Sequence, residues 1–138
     1  MKITLMAVGR IRAPFAEGQS HYLKMLRGPQ PVEVVELKDD RTLVKRIDPE
    51  CHLVALEAGG EAMSSERWAS WLDRRRRAGR RVVVVVGGPA GLPAEAVGAA
   101  RERLSLGPQT MAHQLARVVL LEQIYRAAKI LAGEKYHL

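Results

Sequence analysis

The sequence predicts an α/β fold built on a parallel sheet, and two observations support that prediction. Short apolar runs alternate with segments of helical spacing along the whole chain, which is the order that repeated βα units produce. One of these runs, Val82–Val86, consists of five consecutive valines. An unbroken β-branched run is typical of a central strand that is covered by helices on both faces. We therefore expect Val82–Val86 to lie in the middle of the sheet.

The predicted elements follow one another without a linker, an internal repeat or a low-complexity tract. Glycine and proline mark most of their ends. In order, they are a strand at Met1–Gly9, a helix at Pro14–Leu26, a strand at Val32–Leu37, a charged connection with room for a turn or two of helix at Lys38–Pro49, a strand at His52–Glu57, a helix from Ser64 or Ser65 to Arg77, the strand Val82–Val86, a helix at Pro93–Arg103, a strand at Leu104–Leu106 and a closing helix at about His113–Leu131.

Length and cysteine content favour a single domain from a reducing compartment. A chain of 138 residues fits one domain, 1–138, that buries a core without disulfides or metals. The lone cysteine, Cys51, permits no intramolecular disulfide and is predicted to be a small core residue. No apolar run approaches the roughly 20 residues that span a bilayer, and the first residues show no leader pattern. These features predict a cytoplasmic protein without a membrane partner.

The charge balance points towards a polyanion without proving one. The formal net charge is +7 and the isoelectric point is about 10.1. Such a balance makes nucleic acid the first partner to consider, because each neutralised phosphate releases counterions. A basic surface that reflects an arginine-rich proteome explains the charge equally well.

Three loops rich in small residues follow predicted strands and are candidates for a ligand pocket. They are Leu56–Gly60, Gly87–Gly91 and Gly107–Ala112. In open α/β sheets, ligands bind beyond the carboxyl ends of the strands. If the three strands are neighbours, the loops surround one pocket.

The glycine-rich loop Gly87–Gly91 is not a phosphate-binding motif. It lacks the G-x-G-x-x-G order and the Gly-Lys-Ser/Thr of a Walker A loop. Pro89 also removes an N–H group that a phosphate cradle would use. The loop is therefore predicted to hold a ligand without phosphates, with a plain strand-to-helix turn as the alternative.

The closing helix predicts a dimer. Its apolar residues spread around most of its circumference, so the helix must be buried on more than one side. In so small a protein, one side covers the sheet and the other requires a partner. A two-fold homodimer is the commonest solution.

The densest positive cluster is Arg74, Arg75, Arg76 and Arg77, with Arg80 and Arg81 close behind. Six arginines in eight residues exceed what the helix dipole needs, so we predict that Arg74–Arg77 contact RNA phosphates. The alternative is that they only stabilise the C-terminus of their helix.

In combination, several short segments resemble the RlmH family of the SPOUT methyltransferases. The resemblance covers nearly the whole chain, and it depends on the joint order of the segments, since each alone is weak. The matching residues are Ala7-Val8-Gly9, Val86-Gly87-Gly88-Pro89-Ala90-Gly91-Leu92, Leu104-Ser105-Leu106 with Thr110 and His113, Arg117-Val118, Glu122-Gln123-Ile124-Tyr125-Arg126-Ala127, and Tyr136-His137.

The resemblance implies a fold, a partner and a reaction. The family has an α/β/α sandwich with a C-terminal trefoil knot, a known exception to the rule against threaded chains. It is dimeric, with methyl-donor sites at the subunit boundary, and it methylates N3 of a pseudouridine in helix 69 of 23S ribosomal RNA. The resemblance assigns S-adenosylmethionine (SAM) binding to Leu56, Gly88, Gly107, Pro108, Gln109, Thr110, Met111 and Ala112, and no metal is expected.

Four residues are candidates for the chemistry of methyl transfer. The target ring nitrogen must lose its proton, and His113 is the histidine placed at the mouth of the third loop to take it. Arg126 is expected to stabilise the resulting anion or to hold the RNA backbone. Tyr136 and His137 are expected to close over a splayed target base. For His113, the alternative is a hydrogen-bonding residue at a helix start.

Two other functions remain open at this point. A non-catalytic RNA-binding protein that aids ribosome assembly would explain the charge. A small nucleotide-binding enzyme would use the Gly87–Gly91 turn, although Pro89 and the missing lysine argue against it.

Overall fold

The computed structural model describes residues 1–137, and for His137 the backbone alone. Five parallel strands form one sheet in the order β2-β1-β4-β3-β5. A single 3₁₀ turn, Lys135–His137, follows the last helix. The other elements are β1 (Ile3–Val8), α1 (Phe15–Leu26), β2 (Val32–Leu37), α2 (Asp40–Lys45), β3 (His52–Ala62), α3 (Ser65–Ala78), β4 (Val82–Val86), α4 (Ala94–Ala99), β5 (Glu102–Ser105) and α5 (His113–Leu131).

The valine run is the central strand, as predicted. All five residues of β4 are buried, and the strand pairs with β1 on one side and with β3 on the other. Val82 is in register with both Ile3 and His52, so the three strands begin at one level. Their carboxyl ends therefore meet at one margin of the sheet, which we call the carboxyl edge; the opposite margin is the amino edge.

Helices cover both faces of the sheet, which confirms the α/β/α sandwich. Helices α1, α3 and α5 supply Leu26, Trp71 and Leu121 to the larger core. Helices α2 and α4 supply Leu43 and Ala96 to the smaller core on the other face. Both cores consist of tightly buried apolar side chains, the main source of folding free energy.

Cys51 belongs to the smaller core, as predicted, and is 2% exposed. Burial raises the pKa of its thiol, with a further contribution from the nearby Asp48 carboxylate. A thiol in this state is a poor nucleophile.

Local capping explains where α3 begins and ends. The Ser64 side chain accepts a hydrogen bond from the Arg67 N–H at 3.2 Å, which satisfies a donor that the first helical turn leaves unpaired. Gly79 ends the helix with φ of 73°, a left-handed conformation that glycine adopts without strain.

The strand β3 is longer than predicted, and the expected loop Leu56–Gly60 is part of it. Leu56 and Glu61 both pair with Leu104 of β5, so residues 57–60 form a four-residue bulge within a continuous strand. A Cβ on Gly60 would lie 2.7 Å from the Arg103 carbonyl carbon. Only glycine allows the bulge to approach β5 this closely.

The boundary between α4 and β5 also differs from the prediction. The helix ends at Ala99, not at Arg103, and β5 covers Glu102–Ser105 instead of Leu104–Leu106. Ala100 is already extended, with ψ of 140°. The Arg101 N–H donates to the Leu53 carbonyl oxygen at 2.8 Å, so pairing with the sheet edge ends the helix.

Helix α5 is covered on one side and partly open on the other. Leu120, Leu121 and Ile124 are buried, whereas Leu115 is 38% exposed and Leu131 is 37% exposed. Leu115, Val119, Glu122 and Arg126 share one face at helical spacing, and none of the four is fully buried. In the part of the chain that the structure describes, no helix has the length and apolarity to cross a membrane.

Candidate functional site

A cavity of about 480 Å³ opens at the carboxyl edge of the sheet. Its walls come from the end of β3, the β4–α4 turn, the loop after β5 and the first turn of α5. Its size lies within the range of small-molecule pockets. The lining residues are Leu56, Glu57, Ala58, Val86, Gly87, Gly88, Pro89, Gly91, Leu92, Ser105, Leu106, Gly107, Gln109, Thr110, Met111, Ala112, His113 and Ala116.

All three predicted loops meet in this cavity because their strands are neighbours. Strands β4, β3 and β5 lie side by side, so the segments that follow them converge. The cavity walls are mostly apolar side chains and backbone. Such walls fit a ligand that carries few charges.

The turn after β4 is tight because the backbones of Gly87 and Gly91 pack against each other. A Cβ on Gly87 would lie 2.4 Å from the Gly91 carbonyl carbon, so the turn has no room for a side chain there. Gly91 itself has φ of 85°, and its N–H donates to the Gly88 carbonyl oxygen at 3.0 Å. A Cβ on Gly88 would instead meet only Val8, at 3.7 Å.

The loop after β5 is fixed by Ser105, which is fully buried. Its Oγ accepts the Gly107 N–H at 3.0 Å and lies 3.3 Å from the Ala58 carbonyl oxygen on the β3 bulge. Gly107 has φ of 141°, which turns the chain back over the cavity. The bulge and this loop are therefore held as one wall.

Seven of the eight residues predicted to hold the methyl donor line the cavity. Only Pro108 does not. Their position in the lining shows that these residues lie close to one another around the cavity. That they bind the methyl donor stays a prediction. The seven are Leu56, Gly88, Gly107, Gln109, Thr110, Met111 and Ala112.

Glu57 is a cavity residue that the sequence did not single out. It is the acidic side chain among the lining residues, and Arg103 Nε donates to its Oε1 at 2.5 Å. The sequence signal was weak, because Glu57 only ends an apolar run. The position of its carboxylate depends on the bulge, which the sequence pattern does not reveal.

His113 lies at the cavity, as predicted, at the first position of α5. The helix has no side-chain cap there, so the N–H groups of its first turn are not satisfied by a capping side chain. His113 and Ala116 of this first turn both line the cavity. The arrangement places a possible proton acceptor beside the ligand space.

Arg126 and Tyr136 lie at the other end of α5. Arg126 donates from Nε to Glu122 Oε1 at 2.9 Å and from Nη2 to Oε2 at 3.2 Å, and these bonds raise the pKa of Arg126. Its guanidinium lies 4.9 Å from the centre of the Tyr136 ring. Burial raises the pKa of the Tyr136 hydroxyl, and the Glu122 carboxylate raises it further.

A single protomer does not bring the predicted catalytic residues together. His113 and Arg126 are thirteen residues apart on one helix, which corresponds to roughly 20 Å at 1.5 Å per residue. The side chain of His137 lies outside the described residues. The catalytic roles of all four residues stay predictions.

The arginine cluster lies at the amino edge, opposite the cavity. Two of its members are partly buried against other elements: Arg75 Nη1 bonds His52 Nδ1 at 2.9 Å, and Arg76 Nη2 donates to the Pro29 carbonyl oxygen at 2.8 Å. Arg77 pairs with Asp73 at 2.9 Å but is largely exposed, and Arg74 is exposed. Phosphate contact stays a prediction, and it fits Arg74 and Arg77 better than the other two.

Comparisons with known proteins agree with this architecture. The family model described as "Predicted SPOUT methyltransferase" matches residues 1–137. A Rubrobacter xylanophilus protein named Ribosomal RNA large subunit methyltransferase H is 42% identical over 154 aligned positions, covering 99% of this chain and 98% of the relative.

Solved structures share the fold at low sequence identity. A probable methyltransferase from Bordetella pertussis matches with a TM-score of 0.61 and 12% identity, covering 91% of this chain and 95% of that one. A putative methyltransferase from Legionella pneumophila, solved with SAM bound, matches with a TM-score of 0.51 and 16% identity over 93% of this chain and 66% of that one. The family match, the full-length relative and the shared fold show that the chain belongs to the SPOUT methyltransferase family.

Proposed function

We propose that this protein is a SAM-dependent methyltransferase that modifies N3 of a pseudouridine in helix 69 of 23S ribosomal RNA. Three facts support the proposal: the family, a full-length relative whose name specifies large-subunit ribosomal RNA, and the cavity where open α/β folds bind ligands. The cavity supports the proposal most strongly, because residues of all three predicted loops line it.

The cavity fits SAM in size and in chemistry. SAM is an adenosine without phosphates joined to a sulfonium amino acid, and the cavity has apolar walls and no lysine or arginine among its lining residues. Leu56, Gly88 and the 107–112 loop would hold the adenosine through backbone groups and apolar contact. The Glu57 carboxylate is the group suited to a cationic part of the donor.

SAM, when bound, would supply a methyl group that is electrophilic because it is attached to a positively charged sulfur, which leaves as a neutral thioether when the carbon–sulfur bond breaks. The chain contributes the remaining requirements. His113 would accept the proton from the target ring nitrogen, which frees a lone pair for the displacement. The 107–112 loop would exclude water and align the two reacting atoms, from which most of the acceleration is expected.

A homodimer would complete the site. Arg126 and Tyr136 are too far from His113 in their own protomer, and the face of α5 that carries Leu115, Val119 and Arg126 is not fully covered. A two-fold pairing through this face would place Arg126 and Tyr136 of the partner subunit near the cavity. There they would stabilise the ring anion and stack on the target base.

The trefoil knot also belongs to this proposal. The family has it, and a knot in the C-terminal half would involve the segments that line the cavity. Strand order alone does not describe threading. Tracing the chain for a closed crossing in an experimental structure would test it.

One experiment separates the methyltransferase from a non-catalytic assembly protein. Calorimetry should detect SAM binding to the free protein, and large ribosomal subunits lacking the modification should gain a methyl group. A protein that binds these subunits but neither binds SAM nor transfers a methyl group would be the assembly protein. Running the reaction on ribosomes and on naked ribosomal RNA identifies the true substrate.

A further inference from the structure

The turn between β1 and α1, residues 9–13, borders the donor cavity. Val8 is the residue that faces Gly88 of the cavity wall. Gln114, which bonds this turn, directly follows the cavity residue His113. Residues 9–13 are not among the lining residues of the cavity, but they lie beside its wall. We call this turn the rim of the cavity.

The backbone of this rim is held rigidly by side chains from two other elements. Arg117, fully buried, donates from Nη2 to the Val8 and Gly9 carbonyl oxygens at 2.8 and 2.7 Å. Gln114 accepts the Arg12 N–H at 3.0 Å and donates to the Arg10 carbonyl oxygen at 3.1 Å. These four bonds all come from α5.

Strand β2 supplies the remaining support. Glu36 Oε2 accepts the Ile11 N–H at 2.7 Å and also accepts a bond from Arg117 Nη1 at 2.9 Å. The turn is thus fixed from the strand side and from the helix side. A turn that only connects β1 to α1 does not require this number of side-chain bonds.

The rim presents two cationic side chains to solvent. Arg10 and Arg12 are exposed, and within residues 1–137 neither forms a salt bridge. By contrast, Arg67, Arg77 and Arg103 are each paired with a nearby carboxylate. The rim therefore carries uncompensated positive charge next to the cavity.

We propose that Arg10 and Arg12 bind backbone phosphates of the substrate RNA on either side of the target base. The proposal rests on the proposed function. Arginine forks bind phosphate oxygens in two-point geometry, and a rim whose backbone is already fixed loses little conformational entropy on binding. The phosphates are thereby held at a set distance from the cavity, which positions the base over it.

The test measures the salt dependence of RNA binding for the Arg10→Gln/Arg12→Gln variant. The probe is a synthetic helix 69 hairpin that contains pseudouridine. The matched control is Lys45→Gln/Arg46→Gln, which removes the same charge from exposed positions at the amino edge. Loss of two phosphate contacts should lower the slope of log affinity against log salt by about 1.4 to 1.8, and the control should keep the wild-type slope.

Further measurements isolate the role of the rim. SAM affinity and the sedimentation coefficient should equal those of the wild type, because neither arginine lines the cavity. The Arg10→Lys/Arg12→Lys variant should restore most of the salt slope, since the charge is restored. Methylation of ribosomal subunits by the glutamine variant should show a raised KM with a smaller change in kcat.

A glutamine variant with the wild-type salt slope, or one that loses no more slope than the control, would overturn the proposal. A changed sedimentation coefficient with an unchanged slope would also overturn it and assign the rim to a subunit contact. Failure of the underlying function looks different. In that case the wild-type protein itself neither binds SAM nor methylates the subunits.

Discussion

At the scale of single residues, buried polar side chains hold the segments around the site. Arg117 is fully buried and bonds two carbonyl oxygens at the end of β1 and a carboxylate on β2. A sequence pattern does not predict such a residue. Arginine is seldom fully buried, and its partners lie 81 and 109 positions away in the chain.

Replacing Arg117 by leucine should destabilise the fold strongly. The change removes the donors to the Val8 and Gly9 carbonyl oxygens, which are partly buried, and bonds to a charged group are worth about 1.5 to 3 kcal/mol each. We expect the free energy of unfolding to fall by about 3 kcal/mol or more in urea titrations. The exposed Arg74→Leu control should change it by less than about 0.5 kcal/mol, and equal effects of the two would contradict the account.

A second, partly buried network links stability to pH at the amino edge. Burial raises the pKa of Glu102, but the hydrogen bonds from His52 and Trp71 lower it by more, so the pKa lies below its ordinary value of 4.5. The two bonds measure 2.5 Å and 2.9 Å. A carboxyl group with a lowered pKa stabilises the fold above its unfolded-state pKa and loses that contribution as the pH falls through its folded-state pKa.

The free energy of unfolding should therefore decrease as the pH is lowered below about 4.5, and Glu102→Gln should flatten this part of the curve. The exposed Glu95→Gln variant serves as the control and should follow the wild-type curve. Chemical unfolding at a series of acid pH values measures the free energy of unfolding of the wild type and of the two variants. Parallel curves for Glu102→Gln and the wild type would show that the network does not contribute.

At the scale of elements, contacts between segments explain why some boundaries differ from the sequence pattern. The valine run and the two-sided covering of the sheet follow from local composition, so they could be predicted. The bulge in β3 could not, because it arises where Gly60 meets the backbone of β5. Helix α4 is short for the same reason, since Arg101 bonds the sheet edge through Leu53.

The turn after β4 provides a matched pair of alanine variants. Gly87→Ala places a Cβ 2.4 Å from the Gly91 backbone, whereas Gly88→Ala places it in ordinary contact with Val8 at 3.7 Å. Forcing an atom into packed space costs about 1 to 3 kcal/mol. Thermal unfolding should show a clear loss for Gly87→Ala and little change for Gly88→Ala.

A longer side chain at Gly88 should act on the donor instead of the fold. Gly88 lines the cavity, so Gly88→Arg should fill it and abolish SAM binding in calorimetry while the protein stays folded. Binding of SAM by this variant at wild-type affinity would show that the donor lies elsewhere.

At the scale of the whole molecule, several of the predicted functional groups lie far from the cavity within one protomer. The three small-residue loops gather at the carboxyl edge because parallel strands end there, and the order of strands and loops along the sequence sufficed to predict this. Arg126, Tyr136 and the arginine cluster lie far from the cavity, and their distance follows from the length and direction of α5 and α3. A pattern within one sequence does not predict whether a second copy of the chain would bring these groups to the cavity.

Sedimentation should show the dimer that the proposed site requires, with a mass twice the 15.3 kDa of the chain. Leu115→Glu introduces a charge on the open face of α5, where the side chain is 38% exposed, and should dissociate the dimer without unfolding the protomer. Ala94→Glu, on the opposite face of the sheet, is the control. A fully active wild-type monomer would exclude the composite site.

Methyl transfer to ribosomal RNA by this protein can be measured by mass spectrometry of the product. Large ribosomal subunits lacking the modification are incubated with SAM and the protein, and the nucleosides of helix 69 are then analysed. We expect one added methyl group on N3 of a pseudouridine with the wild type and none with Gly88→Arg. Unmodified RNA after incubation with a folded wild-type protein, or a methyl group on a ribose oxygen, would contradict it.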